Sequence, residues 1–427
     1  MNRFVVRRNG SWTRLGAQVL EVGSNLFTGE ADFSSAFGPP TSMESDLLLL
    51  ASSIFAADRA TRRGEREDYA RQFEIFVPVT NLTKLFPLVT GIEQTLYRLS
   101  NDSWKIELRV EPGAEEDWSS STNPGLTLLF SGGLDSLAAA VEFGIPGSGL
   151  QLISHRTRNP ITSQSQDQLL QLLTDAGRVL PHHHVFASSR SGGPTDLEHS
   201  EENSQRTRSF LFLVIGALAA RRAGHHQLMY LAENGQMAIH LPLSAARLGA
   251  YSTHTAHPDV LKEMEQFLAA ALSIPLTIEN PYVYRTKKEV VEVVERGLPD
   301  GIAVSNSCWR NTHLPAGVNH CGICIPCYER RIAIESIRDD PTVYARDPWT
   351  ENYSGLDPED DARRNLADMA EFVAHFRSDT NEEIMSQWPE LYSDTFDASQ
   401  VVAMYRRFAA EARLVLGRYP SLAALLR

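Results

Sequence analysis

Short apolar runs alternate with helix-like segments through the middle of the chain. Apolar runs of strand length occur at residues 126–130, 150–153, 185–187 and 228–231. The stretches between them include residues 166–173, which have helical periodicity, and the long apolar run 210–220. Strands that alternate with helices are typical of a parallel sheet covered by helices on both faces. The pattern therefore predicts an α/β domain over residues 125–337.

The two flanking regions have different patterns. Residues 1–120 contain strand-like runs at 3–6 and 73–77 and a helix-like run at 44–57 with Ser42 as its N-cap, so we expect an α+β accessory region. Residues 111–124 are acidic and Ser-rich and lead into Pro124-Gly125, a composition typical of a linker. Apolar residues recur at helical spacing within residues 340–427, which predicts a helical C-terminal region with Asp357 as an N-cap before Pro358.

Size and charge restrict the function. The 427 residues correspond to two or three domains at roughly 150 residues each. The net charge of −13 disfavours a basic nucleic-acid groove. Five residues are Lys and none follows Gly, which excludes a Walker A loop. The N-terminus lacks an apolar signal region, and the run 210–220 is too short to span a bilayer. We therefore expect a cytoplasmic protein without a membrane partner.

A glycine loop follows the first apolar run of the predicted α/β domain. It reads Ser131-Gly132-Gly133-Leu134-Asp135-Ser136 and leads into a helix-favouring stretch. Glycines let the backbone approach a polyanion, N–H groups at a helix start favour negative charge, and a carboxylate can hold Mg²⁺. The plainer alternative is a tight turn with Asp135 as a cap. The complete pattern favours a phosphate-binding loop.

All four cysteines lie close together in the sequence, as Cys308, Cys321, Cys324 and Cys327. Their spacing, C-x12-C-x2-C-x2-C, is typical of a structural zinc site. An iron–sulfur cluster and unliganded core cysteines are the alternatives. The nearby His313 and His320 are expected to be loop residues, because four thiolates already complete a tetrahedron.

The glycine loop resembles the SGGxDS loop of the PP-loop ATP pyrophosphatases. Together with the cysteine cluster it resembles the 7-cyano-7-deazaguanine synthase (QueC) family, and residues 206–211, Thr286-Lys287 and Arg330-Arg331 extend the resemblance over about residues 125–337. The family's usual substrate segment is replaced here by residues 232–237 and 252–258. With the added terminal regions, this variant pattern resembles the QueC-like components of antiphage defence systems such as Qat.

The resemblance implies a PP-loop adenine nucleotide α-hydrolase-like core that uses ATP, Mg²⁺ and Zn²⁺. It implies adenylation of a 7-deazaguanine carboxylate with release of pyrophosphate, followed by attack of an amine, either ammonia as in the synthases or an amine of a partner protein from a defence operon. Two other classes stay open. A tRNA sulfur or lysidine ligase would need a positive face, which the net charge disfavours. A non-catalytic nucleotide-binding scaffold is the other.

The resemblance also assigns residues to roles. It implies that the six loop residues and His155 bind ATP. It implies catalytic roles for Asp135, Ser136, Lys287 and Arg208. Substrate binding falls to Glu233, Asn234 and His257, and metal binding to the four cysteines. Plainer interpretations exist for several of them: an Asn-Gly turn at Asn234, a helix-start charge at Arg208, a surface lysine at Lys287 and a polar loop around His257.

Overall fold

The structure is a computed structural model. It describes residues 1–8, 12–64, 69–114, 122–157, 159–189, 202, 204–225, 229–244, 254–312, 314–422 and 425. Residues 228, 252, 253 and 313 and the middle of the expected linker, residues 115–121, lie outside this part of the chain.

The N-terminal region is built on a parallel sheet. Its strands are β1 (Asn2–Arg7), β2 (Gln18–Glu21), β3 (Leu26–Phe27), β4 (Gln72–Val79) and β5 (Ser103–Val110), and its helices are α1 (Glu30–Phe37), α2 (Ser42–Ala60), α3 (Leu82–Leu85) and α4 (Val89–Ser100). Four strands pair in parallel in the order β2-β1-β4-β5. The expected α+β arrangement was therefore wrong in its topology, because helical crossovers between β1, β4 and β5 leave these strands parallel.

Thr41, and not Ser42, caps helix α2. The Thr41 hydroxyl accepts a hydrogen bond from the Glu44 N–H, and the Glu44 carboxylate accepts one from the Thr41 N–H. This reciprocal pair is a capping box, which satisfies two backbone donors at the helix start. It lies one residue earlier in the chain than the cap expected from the sequence.

The central region is an α/β domain with a second parallel sheet. Its elements are β6 (Leu126–Leu129), α5 (Leu134–Phe143), β7 (Leu150–His155), α6 (Pro160–Asp175), β8 (His182–Val185), β9 (Ser188–Ser189), α7 (Arg208–Ala223), β10 (Met229–Tyr230), α8 (Gly235–Ile239), α9 (Pro258–Leu272) and β11 (Ile278–Glu279). The strand order is β11-β10-β6-β7-β8, and every pair is parallel. The predicted strand at 185–187 ends earlier, because pairing with β7 runs from His182 to Val185.

The remaining α-helices of the described chain lie between residues 287 and 416. They are α10 (Lys287–Gly297), α11 (Gly301–Val304), α12 (Ile325–Glu335), α13 (Asp361–Ser378), α14 (Asn381–Gln387) and α15 (Ala398–Leu416). The prediction of a helical C-terminal region is confirmed. The N-cap of α13 is Asp360, whose carboxylate accepts from the Ala362 N–H, whereas Asp357 accepts from Glu359 in the preceding turn. The expectation of a cap at Asp357 was wrong.

The three regions pack on one another. Leu49 and Ile54 of α2 share a buried apolar cluster with Ile153 of β7 and Phe210 of α7, and β3 pairs with β9 across the same junction. A second cluster joins α13 and α15 to residues near α8 and α12. The terminal regions therefore contribute to the environment of the central domain. Among the described residues, the helices are too short or too polar to cross a membrane.

Candidate functional site

The glycine loop connects β6 to the N-terminus of α5. Gly132 has φ 85°, a left-handed conformation that favours glycine, and a Cβ there would lie 2.9 Å from Gln166 Cγ. Gly133 caps α5, and its Cβ would lie 3.2 Å from the Asn306 carbonyl oxygen. The first N–H groups of a helix lack intrahelical acceptors, so they favour an anion at this position. The local geometry matches the strand–loop–helix order that the sequence predicts.

The two loop serines have different surroundings. The Ser136 hydroxyl is buried and donates to the Gly133 carbonyl at 3.1 Å. Ser131 is exposed, and its oxygen lies 3.2 Å from that of Ser136. Gln166 donates to the Ser131 carbonyl at 3.3 Å, which ties the loop to α6. Ser136 therefore stabilises the turn, while Ser131 faces the open side.

Asp135 lies at the centre of a polar cluster. Its Oδ2 is 2.5 Å from Lys287 Nζ, and both side chains are largely buried. Asn234 Nδ2 lies 3.4 Å from each Asp135 carboxylate oxygen, and the Asn234 side chain also caps α8. The Lys287 N–H donates to Gln236 Oε1 at 2.7 Å. The structure thus brings together three sequence-predicted residues at the carboxyl edge of the sheet, where α/β folds bind ligands.

Two further carboxyl groups face this cluster. Burial raises the pKa of Glu233 to about 8, with the negative Asp135 adding to the shift and Lys287 opposing it. Burial likewise raises the pKa of Glu329, on α12, to about 8, against the opposing charge of Lys287. Both groups favour the protonated form near neutral pH, and a pKa in this range suits proton transfer.

Glu329 is a residue that the sequence analysis missed. It lies between Cys327 and Arg330, both assigned from motifs, in a helix whose first turns are buried. A carboxylate within an otherwise buried helix start was the signal that could have identified it.

Arg208 and His155 form a second polar group, at the carboxyl end of β7. His155 Nε2 lies 2.8 Å from the Ala187 carbonyl oxygen, and burial together with Arg208 lowers the histidine pKa to about 3. Arg208 lies over the Phe212 ring, and burial with the nearby Arg59 lowers its pKa to about 10. No described hydrogen bond or ion pair joins this group to Asp135. The described contacts therefore do not include these two predicted residues in the Lys287 cluster.

His257 has a structural role in the described contacts. Its Nδ1 accepts from the Asp259 N–H at 3.3 Å and so caps α9. Its ring packs edge-on against His254 and Phe396. None of these contacts involves Asp135, and they agree with the plainer interpretation of this residue as part of a polar loop.

The four cysteines form a buried cluster that could hold a metal ion such as zinc. Their sulfur atoms all lie within 4.8 Å of one another, and three of the separations are 3.4, 3.9 and 3.9 Å. A tetrahedron with zinc–sulfur bonds of about 2.3 Å has edges of about 3.8 Å. The Cys308 sulfur also accepts N–H groups from Arg310 and Cys321 at 3.3 Å, which favours a thiolate.

The cysteine cluster is directly connected to the glycine loop. The Asn306 N–H donates to the Gly132 carbonyl at 3.0 Å, and Asn306 Oδ1 accepts from the Cys308 N–H at 2.9 Å. The His320 ring accepts from the Ser307 N–H at 3.2 Å and so acts as a loop residue. Asn306 therefore links the backbone at Cys308 to the Gly132 peptide.

No protein-family model matches the chain, and no curated protein matches its sequence. The resemblance described above is therefore carried by the glycine loop, the cysteine spacing and the short motifs between them.

Proposed function

We propose that the protein is an ATP-dependent ligase that forms AMP and pyrophosphate. In this proposal it adenylates the carboxylate of a 7-deazaguanine-type substrate and joins the acyl group to an amine. The main support is the Asp135–Lys287 pair, which lies beside a glycine-bearing helix N-terminus at the carboxyl edge of a parallel sheet.

The loop and Lys287 suit the departure of pyrophosphate. N–H groups at the start of α5 favour the phosphate oxygens, and the exposed Ser131 hydroxyl adds a donor. The Lys287 ammonium is held at 2.5 Å from Asp135, so it would stabilise the negative charge that develops on the leaving group. Asp135 provides the oxygen ligands that Mg²⁺ prefers. When bound, Mg²⁺ neutralises phosphate charge during transfer.

The reaction has two steps. The substrate carboxylate attacks the α-phosphorus of ATP, the bond to the β-phosphate oxygen breaks, and an acyl-adenylate and pyrophosphate form. An amine then attacks the acyl carbon, and AMP leaves with the electron pair of the broken bond. The amine must lose a proton in this step, and Glu233 would accept it in its ionised form, which gains population as the pH approaches its pKa of about 8.

Zinc in the cysteine cluster would have a structural role. Four thiolates complete the tetrahedral coordination that zinc prefers, so no ligand position would remain for substrate. The connection through Asn306 would instead hold the glycine loop in place.

The acceptor amine defines two versions of the proposal. Ammonia would give a free amide, and adenylation of the amide oxygen by a second ATP, followed by loss of a proton and departure of that oxygen with AMP, would give a nitrile. An amine of a partner protein would give a conjugate. The N-terminal and C-terminal regions packed on the central domain offer surface for such a partner, which favours the conjugate. Incubation with ATP, 7-carboxy-7-deazaguanine and a candidate partner, followed by mass analysis, separates the two. A nitrile as sole product would contradict the conjugate.

A pair of adjacent lysines provides a sharp test of the adenylation step. Lys287 is buried against Asp135, whereas Lys288 is partly exposed and pairs with Glu292. We expect Lys287→Met and Asp135→Asn to reduce carboxylate-dependent exchange of pyrophosphate into ATP by roughly 10²–10³-fold, while Lys288→Met retains it. Exchange that is absent from the wild type, or equal in the two lysine variants, would contradict the proposal. The first result would favour a non-catalytic scaffold.

A further inference from the structure

An open groove lies on the surface of the C-terminal helices, between the end of α13 and the second half of α15. Its volume is about 690 Å³. The described residues that line it include no Asp or Glu, and they include four arginines: Arg377 of α13, and Arg406, Arg413 and Arg418 of α15 and the turn after it. The whole chain has 53 acidic and 40 basic residues. The groove is therefore positively charged on an acidic protein.

The charge of the groove is not neutralised by ion pairs along the helices. None of the four arginines has an Asp or Glu three or four positions away, which is the spacing at which side chains pair on a helix. Elsewhere in the chain, Arg331 has such a partner in Glu335. Arg377 and Arg413 are exposed, and neither forms a hydrogen bond or ion pair with another residue that the structure describes. Both guanidinium groups are therefore available to a ligand.

The other two arginines are held by neutral acceptors. Arg406 donates to the carbonyl oxygens of Phe376 at 2.9 Å and Asp379 at 2.7 Å, and Arg418 donates to the carbonyl of the last residue of α12 at 2.8 Å. The Asp379 carboxylate lies near Arg406 but pairs with His375 Nδ1 at 2.7 Å. These hydrogen bonds fix the two guanidinium groups at the groove and leave them without a carboxylate of their own.

An apolar strip runs between the arginines. Ala410 and Leu414 follow Arg406 by four and eight positions, and Arg413 follows it by seven, so all four lie on one face of α15. Leu414 is 61% exposed. A face that combines an exposed leucine with unpaired cations suits a ligand that carries both apolar and acidic side chains.

The dimensions of the groove select an extended ligand. Arg406 and Arg413 lie two turns apart, which is about 10 Å along the helix, so one small anion would leave much of the charge unmatched. Carboxylates spaced along a peptide would match it, because each guanidinium can bind one carboxylate through two parallel hydrogen bonds. A nucleic-acid backbone would have no apolar group to cover Leu414, and beyond the groove it would be repelled by the net charge of −13.

We propose that this groove docks an acidic, amphipathic segment of a partner protein. Carboxylates of the segment pair with Arg377 and Arg413, and its apolar side chains cover Leu414. The inference goes beyond the proposed function and does not depend on it, since none of the four arginines is among the residues proposed to act on nucleotide or substrate.

The test selects peptides on the full-length protein without nucleotide. The probe is a displayed library of random peptides of about 14 residues, which corresponds to roughly four helical turns. We expect the selected peptides to carry a net negative charge, with Asp or Glu on either side of a large apolar residue. Fluorescence anisotropy with one synthetic selected peptide then gives its affinity. The double variant Arg377→Gln/Arg413→Gln should bind this peptide at least roughly tenfold more weakly, and added salt should weaken binding to the wild type.

Arg296 provides a matched control. It is exposed and lies in the last turn of α10, as Arg377 and Arg413 lie in the last turns of α13 and α15. A cation at a helix C-terminus stabilises the helix dipole, so removal of any of these charges should lower the melting temperature slightly. Arg296→Gln should nevertheless bind the peptide as the wild type does. If the double variant also binds as the wild type does, the docking assignment is overturned.

Three further results would overturn the assignment. The first is a selection that shows no enrichment of acidic residues. The second is a single-stranded oligonucleotide of the same charge that binds as tightly as the peptide, because the groove would then recognise a polyanion of any kind. The third is a dimer in sedimentation that the double variant dissociates, because a second copy of the chain would then occupy the groove. These measurements use no ATP, so their outcome is independent of whether pyrophosphate exchange is found.

Discussion

Replacement of Gly132 by Ala tests whether the glycine loop binds nucleotide in the conformation described here. At φ 85° an L-residue costs roughly 1–2 kcal/mol relative to glycine. The added Cβ would also lie 2.9 Å from Gln166 Cγ and 3.3 Å from the Gln166 backbone nitrogen, so the loop or α6 must shift. Because the first contact is with a side chain and the second with backbone, side-chain movement alone does not relieve the crowding.

Gly147 provides a matched control. It also has a positive φ, 81°, and a Cβ there would meet nothing within 4 Å. Gly147→Ala therefore introduces the same backbone strain without the contact. We expect Gly147→Ala to lose roughly 1–2 kcal/mol of stability from backbone strain alone. Gly132→Ala should lose more than this because of the added contact.

Nucleotide affinity distinguishes the two positions. A shift of the Gly132 peptide displaces the N–H groups at the start of α5, so Gly132→Ala should bind a non-hydrolysable ATP analogue at least tenfold more weakly, which corresponds to about 1.4 kcal/mol. Gly147→Ala should bind as the wild type does. Calorimetry on both variants measures this difference. Equal affinities for the two variants would refute the assignment of the loop.

Three other predictions concern the metal cluster, a buried ion network and acid stability. Metal analysis should find one zinc per chain. Cys321→Ser should lower both the melting temperature and the affinity for the ATP analogue, because Asn306 connects the cysteine cluster to the glycine loop. An unchanged affinity for the ATP analogue would disprove that connection. Asp102→Asn should lower the free energy of unfolding in denaturant by roughly 3–5 kcal/mol, since the buried Arg63 and Arg71 lose their shared carboxylate. Glu359→Gln, which removes an exposed ion pair with Arg364, should lower it by under about 1 kcal/mol. Burial lowers the folded-state pKa of His155 to about 3 and of His182 to about 4, so the unfolded chain binds more protons below about pH 6.5 and stability should be lost between about pH 6.5 and 3. A flat unfolding free energy over that range would contradict the burial of these rings.

Local sequence patterns were sufficient for the elements that short-range interactions determine. The apolar run before Gly132 and the helix-favouring residues after it predicted a strand–loop–helix unit, because the chain must bury such a run and turn tightly afterwards. The spacing of the four cysteines likewise predicted a cluster, since three of them lie within seven residues. The predicted N-cap positions of α2 and α13 were less accurate. Thr41 and Asp360 are the N-caps, and each has a neighbour of similar chemistry that could also cap a helix.

Contacts between segments distant in the sequence determined the other features of the candidate site. The sequence by itself determined the parallel α/β core, the glycine loop and the cysteine cluster. Only the tertiary structure shows that Glu329 lies near Asp135 and that Arg208 and His155 lie near Arg59. Only the tertiary structure shows that His257 caps α9. The physical reason is that the burial and the electrostatic environment of these residues depend on segments tens to hundreds of positions away. The sequence pattern alone does not show which of these segments come into contact.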